Sequence, residues 1–263
     1  MKKKQLLDVI FASDKRKNVL LMLHDGPQEM ELILAHLDTT RQALLPQMKI
    51  LKEHHLIYQS DDSYGLTGMG KIVVDEMEPF LNTIETLDEN SNYLEAHNID
   101  AIPEPFLKRI SHIRGCTIIE PSIVNSHDMN ADYLEVALRS RKVYFVFTFM
   151  HPSCPLILSQ LANSGVNIEI IFSKELVLKL RDSWNKEFKH FLGYENIRFY
   201  QYDEYPGISS ITVTDEGFLL RLLFNNNEFS NKQLICGGSK GRQWGKDLYD
   251  HYRKNATLIT KIE

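Results

Sequence analysis

The sequence predicts an α/β chain in two parts: an N-terminal winged helix-turn-helix domain and a C-terminal, mostly parallel sheet with helices on both faces. Three observations carry this expectation. Apolar residues recur at three- and four-residue spacing on both sides of Asp38-Thr39-Thr40, which is a helix, a break and a second helix. Two short β-capable runs, Leu56 to Gln59 and Tyr64 to Thr67, flank the polar turn Ser60-Asp61-Asp62-Ser63. Beyond residue 93, continuous apolar runs of strand length alternate with helical patterns, the texture of strands buried on both faces.

In chain order, Gln5 to Ala12 predicts a short helix with Leu6, Leu7, Val9 and Ile10 apolar. Asp14 to His24 predicts a second, with Val19, Leu20, Leu21 and Leu23 facing inward and Asp25-Gly26-Pro27 as its stop. Met30 to Leu37 forms the first helix of the helix-turn-helix. The second carries Ala43, Leu44, Met48 and Leu51, and Thr39 with Gln42 has the spacing of a capping box at its start. Pro46 either bends that helix or lies in the first turn of a helix that begins later, which leaves the register of its exposed residues open. From Gly70 a helical pattern runs to Leu87 with Pro79 inside it, and Asp88 to Asn92 is the expected boundary. The expected domains are therefore 1–75, a linker or dimerisation helix at 76–92, and an α/β domain at 93–263.

The second part reads as helix (Phe106–Ile113), strand (Cys116–Glu120), helix (Asp132–Arg139), strand (Val143–Phe149), helix (Pro155–Asn163) and strand (Val166–Phe172). A helix over Lys174–Leu192, a strand at Ile197–Tyr202 and a hairpin around Asp215-Glu216-Gly217 follow, then a last helix from Gln243 to Arg253.

Composition narrows the function classes. At 43% hydrophobic and 25% charged, the chain is globular rather than disordered. No apolar run approaches the roughly 20 residues that span a bilayer. Met1-Lys2-Lys3-Lys4 opens directly into an amphipathic helix without a signal-peptide core, so a cytoplasmic protein with no membrane partner is expected. Cys116, Cys154 and Cys236 are far apart and odd in number, which suits buried thiols better than a disulfide or zinc framework. The net charge of -5 argues against indiscriminate coating of nucleic acid. Residues 1 to 74 hold ten basic and nine acidic side chains, but Thr39 to Lys52 holds three basic and none acidic. The second helix is thus positive in near-neutral surroundings, which predicts modest, dimer-dependent affinity for DNA.

Catalytic motifs are weak. Phospholipase-D chemistry needs His-x-Lys-x-x-x-x-Asp, and the nearest match, His112-Ile113-Arg114, lacks both the Lys and the Asp at the required spacing. Gly241 to Gly245-Lys246-Asp247 has three residues where a phosphate-binding loop has four, and Asp in place of the hydroxyl. No metal-type His spacing occurs, so neither a cofactor nor enzymatic turnover is expected.

The N-terminal block resembles the winged-helix domains of archaeal transcriptional regulators through Leu44, Met48, Leu51, Leu56-Ile57 and the Tyr64-Gly65-Leu66-Thr67-x-x-Gly70 ending of the wing. Ile102 to Ile110, Gly217 to Leu222 and Trp244 to Arg253 resemble the accompanying domain of the methanogenesis regulatory protein family. The resemblance implies a dimeric regulator whose second domain is similar to phospholipase-D-like sensor domains.

The candidate sites follow from position. In a winged helix the second helix enters the major groove. Thr40, Arg41 and Gln42 in its first turn are expected to meet base edges, with Gln47 further along the same helix. Lys49 and Lys52 are expected at phosphates, and Tyr64 would bring the wing to the backbone or minor groove. Ligands of open α/β sheets sit beyond the carboxyl ends of the strands, which selects Glu120, His151, Ser173 and Asp203 as candidates for an effector. The expected function is sequence-specific binding of double-stranded DNA by a homodimer that senses a small molecule or a protein signal. A winged helix used for protein contacts, or a phosphoester-processing enzyme on a phospholipase-D-like fold, are the alternatives.

Overall fold

The computed structural model describes residues 5–122, 129–151 and 153–261, and the chain divides into two compact units, Met1–Asn82 and Thr83–Glu263. Met1, Lys2, Lys3 and Lys4, which the sequence reading used, lie outside the described residues.

The first unit contains α1 (Leu6–Phe11), α2 (Asp14–Met22), β1 (Gln28–Glu29), α3 (Met30–His36), α4 (Arg41–Glu53), β2 (Ile57–Ser60) and β3 (Ser63–Leu66). The start of α5 (Gly68–Glu89) completes it; from Thr83 on, that helix belongs to the second unit. Val19, Leu20, Met30, Ile33, Leu44, Met48 and Leu51 are fully buried, so the three- and four-residue spacing does mark the inward faces. β2 and β3 form a hairpin whose last pair is Ser60 with Ser63, and Asp61 adopts the left-handed conformation (φ 54°) that a two-residue loop demands. β1 adds a third strand on β3. Gly70 has a structural reason of its own: a Cβ there would stand 2.0 Å from the Leu56 carbonyl oxygen, so only glycine lets α5 pass the root of the wing.

In the second unit an eight-stranded sheet runs in the order β11-β7-β6-β5-β8-β9-β10-β4. Its strands are β4 (Thr117–Ile119), β5 (Lys142–Phe147), β6 (Asn167–Ser173), β7 (Ile197–Tyr202), β8 (Ser210–Val213), β9 (Gly217–Arg221), β10 (Gln233–Gly237) and β11 (Ala256–Leu258). One face packs on α8 (Ala131–Arg139), α9 (Cys154–Asn163), α10 (Lys174–Ser183) and α11 (Asn185–Leu192). The other packs on α12 (Gly238–Lys254), α6 (Ser91–Ala96), α7 (Glu104–Leu107) and the 3-10 turn Ile110–Ile113. The α/β class and the two covered faces are as expected. Parallel pairing is confined to β5-β6 and β6-β7, however, and every other neighbour is antiparallel, so the sheet is mixed rather than mostly parallel. The reason is connection length. β8 to β9 and β9 to β10 lack a crossover helix, and without one the strands pair antiparallel.

The stretch expected as one helix over Lys174–Leu192 breaks at Trp184 (φ -133°), giving α10 and α11. Trp244 is the centre of the other face: its indole N–H donates to the Phe106 carbonyl (3.1 Å) and its ring stacks on Phe218. Gly245 makes that contact feasible, since a Cβ there would meet the Phe218 ring at 2.5 Å. The cysteine expectation needs correcting. Cys116 and Cys236 face each other across β4 and β10 and form a disulfide, with Cα atoms 4.5 Å apart, because the antiparallel register brings together residues distant in sequence. Cys154 is a buried free thiol, as expected, and burial pushes its pKa up to about 12.

Candidate nucleic-acid interface and effector groove

The start of α4 decides which side chains face outward. Asp38 turns the chain in the left-handed region (φ 43°), and Thr40 is the cap, its hydroxyl accepting from the Ala43 amide at 3.3 Å. The capping box expected from Thr39 and Gln42 is therefore displaced by one residue; the Thr39 amide instead bonds the Leu34 carbonyl. Helix α4 runs unbroken from Arg41 to Glu53, with Pro46 as an interior, exposed residue. This fixes the register that the sequence left open.

With that register, Thr40, Arg41, Gln42, Leu45, Lys49 and Lys52 are all exposed, while Leu44, Met48 and Leu51 point into the core. Gln47 is turned the other way. It is half-buried, and its Oε1 accepts from the guanidinium of the buried Arg16 (2.7 Å), so it braces α4 against α2 instead of facing outward. Arg41 carries two ion pairs at 3.0 Å, to Glu31 on α3 and to Asp62 at the tip of the wing. Lys52 donates to Gln59 on β2 (2.7 Å), and Lys49 lies 3.9 Å from Glu53.

Tyr64 departs from expectation. It is only 2% exposed, because the register that pairs Gln59 with Tyr64 and Ile57 with Leu66 sends this face of the hairpin into the core. The opposite face pairs Tyr58 with Gly65, and Tyr58 is 44% exposed; its ring covers Gly65, where a Cβ would sit 2.6 Å away. Tyr58 is thus the aromatic side chain that the wing presents. Strand alternation offers both tyrosines, and only the register decides between them.

The four effector candidates share one edge of the sheet but do not converge. Glu120 follows β4 and pairs with Lys232 (3.5 Å), while Asp203 follows β7 and accepts from Gln201 (2.7 Å). Five strands lie between β4 and β7, which at ordinary strand spacing puts these carboxylates about 25–30 Å apart. Ser173 is buried and capped onto α10, its hydroxyl accepting from the Leu176 amide (3.3 Å). His151 hydrogen-bonds Ser153 (2.6 Å) and lines a cavity of about 40 Å³. Beside it lies a groove of about 480 Å³ between the end of β5 and α10, lined by Phe149, Met150, Leu176, Leu180 and Trp184 with Glu175 and Lys179 at its rim. The sequence reading missed this groove, whose apolar walls come from a loop and a helix that no motif links.

His112 falls on the 3-10 turn Ile110–Ile113, and Gly241 to Asp247 lies inside α12. Among the described residues no cluster of His, Cys, Asp and Glu could hold a metal ion, and no helix is long and apolar enough to cross a membrane.

The chain is similar to several known proteins. Residues 5–89 match the family model of the HVO_A0261 N-terminal domain, and residues 126–255 match that of the middle domain of methanogenesis regulatory protein FilR1. Methanogenesis regulatory protein FilR1 of Methanothrix harundinacea (strain 6Ac) is 19% identical over 253 residues, which is 94% of this chain and 56% of that protein. The chain therefore spans little more than half the length of this curated relative. Among solved structures, the archaeal chromatin protein TrmBL2 aligns over 97% of both chains at 12% identity and a TM-score of 0.43. A phospholipase D family member, Nuc from Salmonella typhimurium, aligns over 49% of this chain and 88% of its own at 10% identity and a TM-score of 0.34. Successive family models thus match its N-terminal domain and the larger part of its second unit, and along nearly its whole length the chain is similar to a methanogenesis regulatory protein.

Proposed function

We propose that this protein is a sequence-specific regulator that binds double-stranded DNA as a homodimer and responds to a small molecule held by its second unit. The observation that carries the DNA reading is the outer face of α4. It presents Arg41, Gln42, Leu45, Lys49 and Lys52 on one helix, next to a wing that offers Tyr58. Gln and Arg in the first turn suit bidentate contacts to adenine and guanine, Leu45 suits a thymine methyl, and the lysines suit phosphates. Similarity to a methanogenesis regulatory protein supports a regulatory role.

A second copy is the natural partner for α5. Ile72 and Phe80 on that helix are 68% and 57% exposed, and Met69, Ile84 and Leu87 are exposed with them. Burying such a stripe against its counterpart would pair two winged helices for two half-sites. For the effector, the groove beside β5 combines an aromatic and aliphatic wall with one cation and one anion at its rim, which suits an amphipathic metabolite.

The test is fluorescence anisotropy on the DNA upstream of the protein's own gene, with unrelated DNA as competitor and salt varied. Lys49→Ala is expected to weaken binding uniformly across sequences and to lower the salt slope by about one, whereas Gln42→Ala costs about 1–3 kcal/mol on the preferred site alone. Equal affinity of the wild type for both DNAs would overturn the sequence-specific reading.

A further inference from the structure

β4 is three residues long, forms one edge of the sheet and is paired with β10 alone. One step beyond its Thr117–Ile235 pair, Cys116 and Cys236 are joined, at the Cα spacing of a non-hydrogen-bonded antiparallel pair. Their sequence separation is 120, so the bond fastens the edge strand to a strand from the far end of the domain. The two sulfurs are not equivalent. Cys236 is 1% exposed inside the larger core, whereas Cys116 is half-buried at the start of an edge strand, just after a left-handed glycine (Gly115, φ 71°). An attacking thiolate therefore reaches Cys116 first.

The residues immediately before Cys116 hold the end of α5. The Gly115 amide donates to Glu89 (3.3 Å), and Arg114 pairs with Glu85 (2.7 Å) and lies 3.9 Å from Glu89. One covalent step thus separates the disulfide from the groups that grip the last turns of a helix whose first turns pack in the winged-helix core.

We propose that Cys116–Cys236 is a redox-modification site: a dithiol reductant opens it, and opening it loosens β4 together with the grip of Arg114 and Gly115 on the end of α5. In the first step the dithiol's thiolate bonds to the Cys116 sulfur and the Cys236 thiolate leaves and takes up a proton. In the second, the reductant's other thiol attacks its own sulfur in the mixed disulfide and releases the Cys116 thiolate, which is protonated in turn. Two electrons and two protons pass to the protein, and the reductant leaves as a disulfide. A low-molecular-weight disulfide reverses the sequence. Cys154 takes no part, being buried on the opposite face of the sheet.

The test uses the full chain, treated either with dithiothreitol or with its oxidised form, and reads hydrogen exchange by peptide. In the reduced protein, amides of 83–89 and 114–119 are expected to exchange about tenfold faster. Cys116→Ser should exchange fast under both treatments, and Cys236→Ala should repeat this from the other side of the bond. After denaturation, the oxidised chain should take up one maleimide and the reduced chain three, one per cysteine of the sequence. Equal exchange in the two states, a difference that persists in Cys116→Ser, or three maleimides on the oxidised chain would each overturn the proposal. The regulatory consequence rests on the DNA reading: affinity should then differ about fivefold or more between the two states. A chain that shows the exchange difference but binds no DNA in either state overturns the DNA reading alone.

Discussion

Under the proposed DNA reading, Arg41 is at once a candidate base contact and a restrained side chain. Its guanidinium spans Glu31 and Asp62, each at 3.0 Å, so an approaching duplex must take it from two carboxylates. Both pairs are solvent-exposed and each is worth little as a bond. Their charge matters more, because two anions beside the α4 face oppose the phosphates and penalise any sequence that gives Arg41 nothing in return. The double variant Glu31→Gln/Asp62→Asn is therefore expected to bind unrelated DNA about tenfold more tightly at low salt and to steepen the salt slope by about one. Adding Arg41→Ala should abolish the gain. An unchanged slope in the double variant would remove this restraint from the account. The exposure of Arg41, Lys49 and Lys52 was legible in the sequence because their helical spacing relative to Leu44, Met48 and Leu51 already separates the outer from the inner face. The pairing with Glu31 and Asp62 was not, since they reach Arg41 only through the turn at Asp38 and the hairpin loop. Tyr64 failed for the same reason, since hairpin register is a tertiary property.

Elements with strong local periodicity were legible and elements that depend on partners were not. The helices of the first unit, the apolar strands β5, β6 and β7 and the β8–β9 hairpin all follow from patterns within about ten residues. β10 and β11 lack such a signal: Gln233 to Gly237 and Ala256 to Leu258 become strands only because β9 and β7 offer them unpaired edges. Pro46 shows local chemistry being overridden in the other direction. It sits inside α4, where the Gln42 carbonyl loses its usual amide donor, yet the apolar face of Leu44, Met48 and Leu51 carries the helix through. Pro46 is exposed, so replacing it disturbs no core packing. Pro46→Ala restores the missing donor at the cost of a more flexible unfolded chain, and a net gain of about 1–2 kcal/mol is expected for the winged helix. Hydrogen exchange of the α4 amides in the full chain would measure it, and slower exchange by about tenfold is the expected outcome. Faster exchange would mean that the proline is matched to a bend that alanine does not keep.

Across the whole molecule, the two units carry histidines of opposite sign. In the first, His24 lies between Asp75 (2.9 Å) and Glu78 (2.7 Å), and the hydrogen bond to Asp75, with the charge of Glu78, raises its pKa above the ordinary 6.5. In the second, His97 is buried and stacked between Tyr93 and Phe224, its Nδ1–H donating to the Tyr93 backbone carbonyl (2.6 Å) and its Nε2 hydrogen-bonded to the Ser230 hydroxyl (2.8 Å). Burial lowers its pKa, and that of His112 is lowered by burial and by Arg109 nearby. A raised pKa means that the folded state holds its proton more tightly than the unfolded chain, so the contribution of His24 is complete below 6.5 and fades as pH rises through its folded value. A lowered pKa means the reverse: the second unit loses stability as pH falls below 6.5, because the unfolded chain takes up protons that buried His97 refuses. The carboxylates are still ionised over most of this window, so the histidines set the slope. Both tryptophans, Trp184 and Trp244, lie in the second unit, so fluorescence reports that unit alone. Lowering the pH from about 7.5 to about 5.5 is expected to reduce the fluorescence-detected Tm by about 2–4 °C for each kcal/mol lost, with no parallel loss of amide protection in α2 to α4. His97→Gln should flatten the fluorescence-detected slope even though it lowers stability at neutral pH. A Tm that holds steady down to about pH 5.5 would show that His97 titrates normally despite its burial.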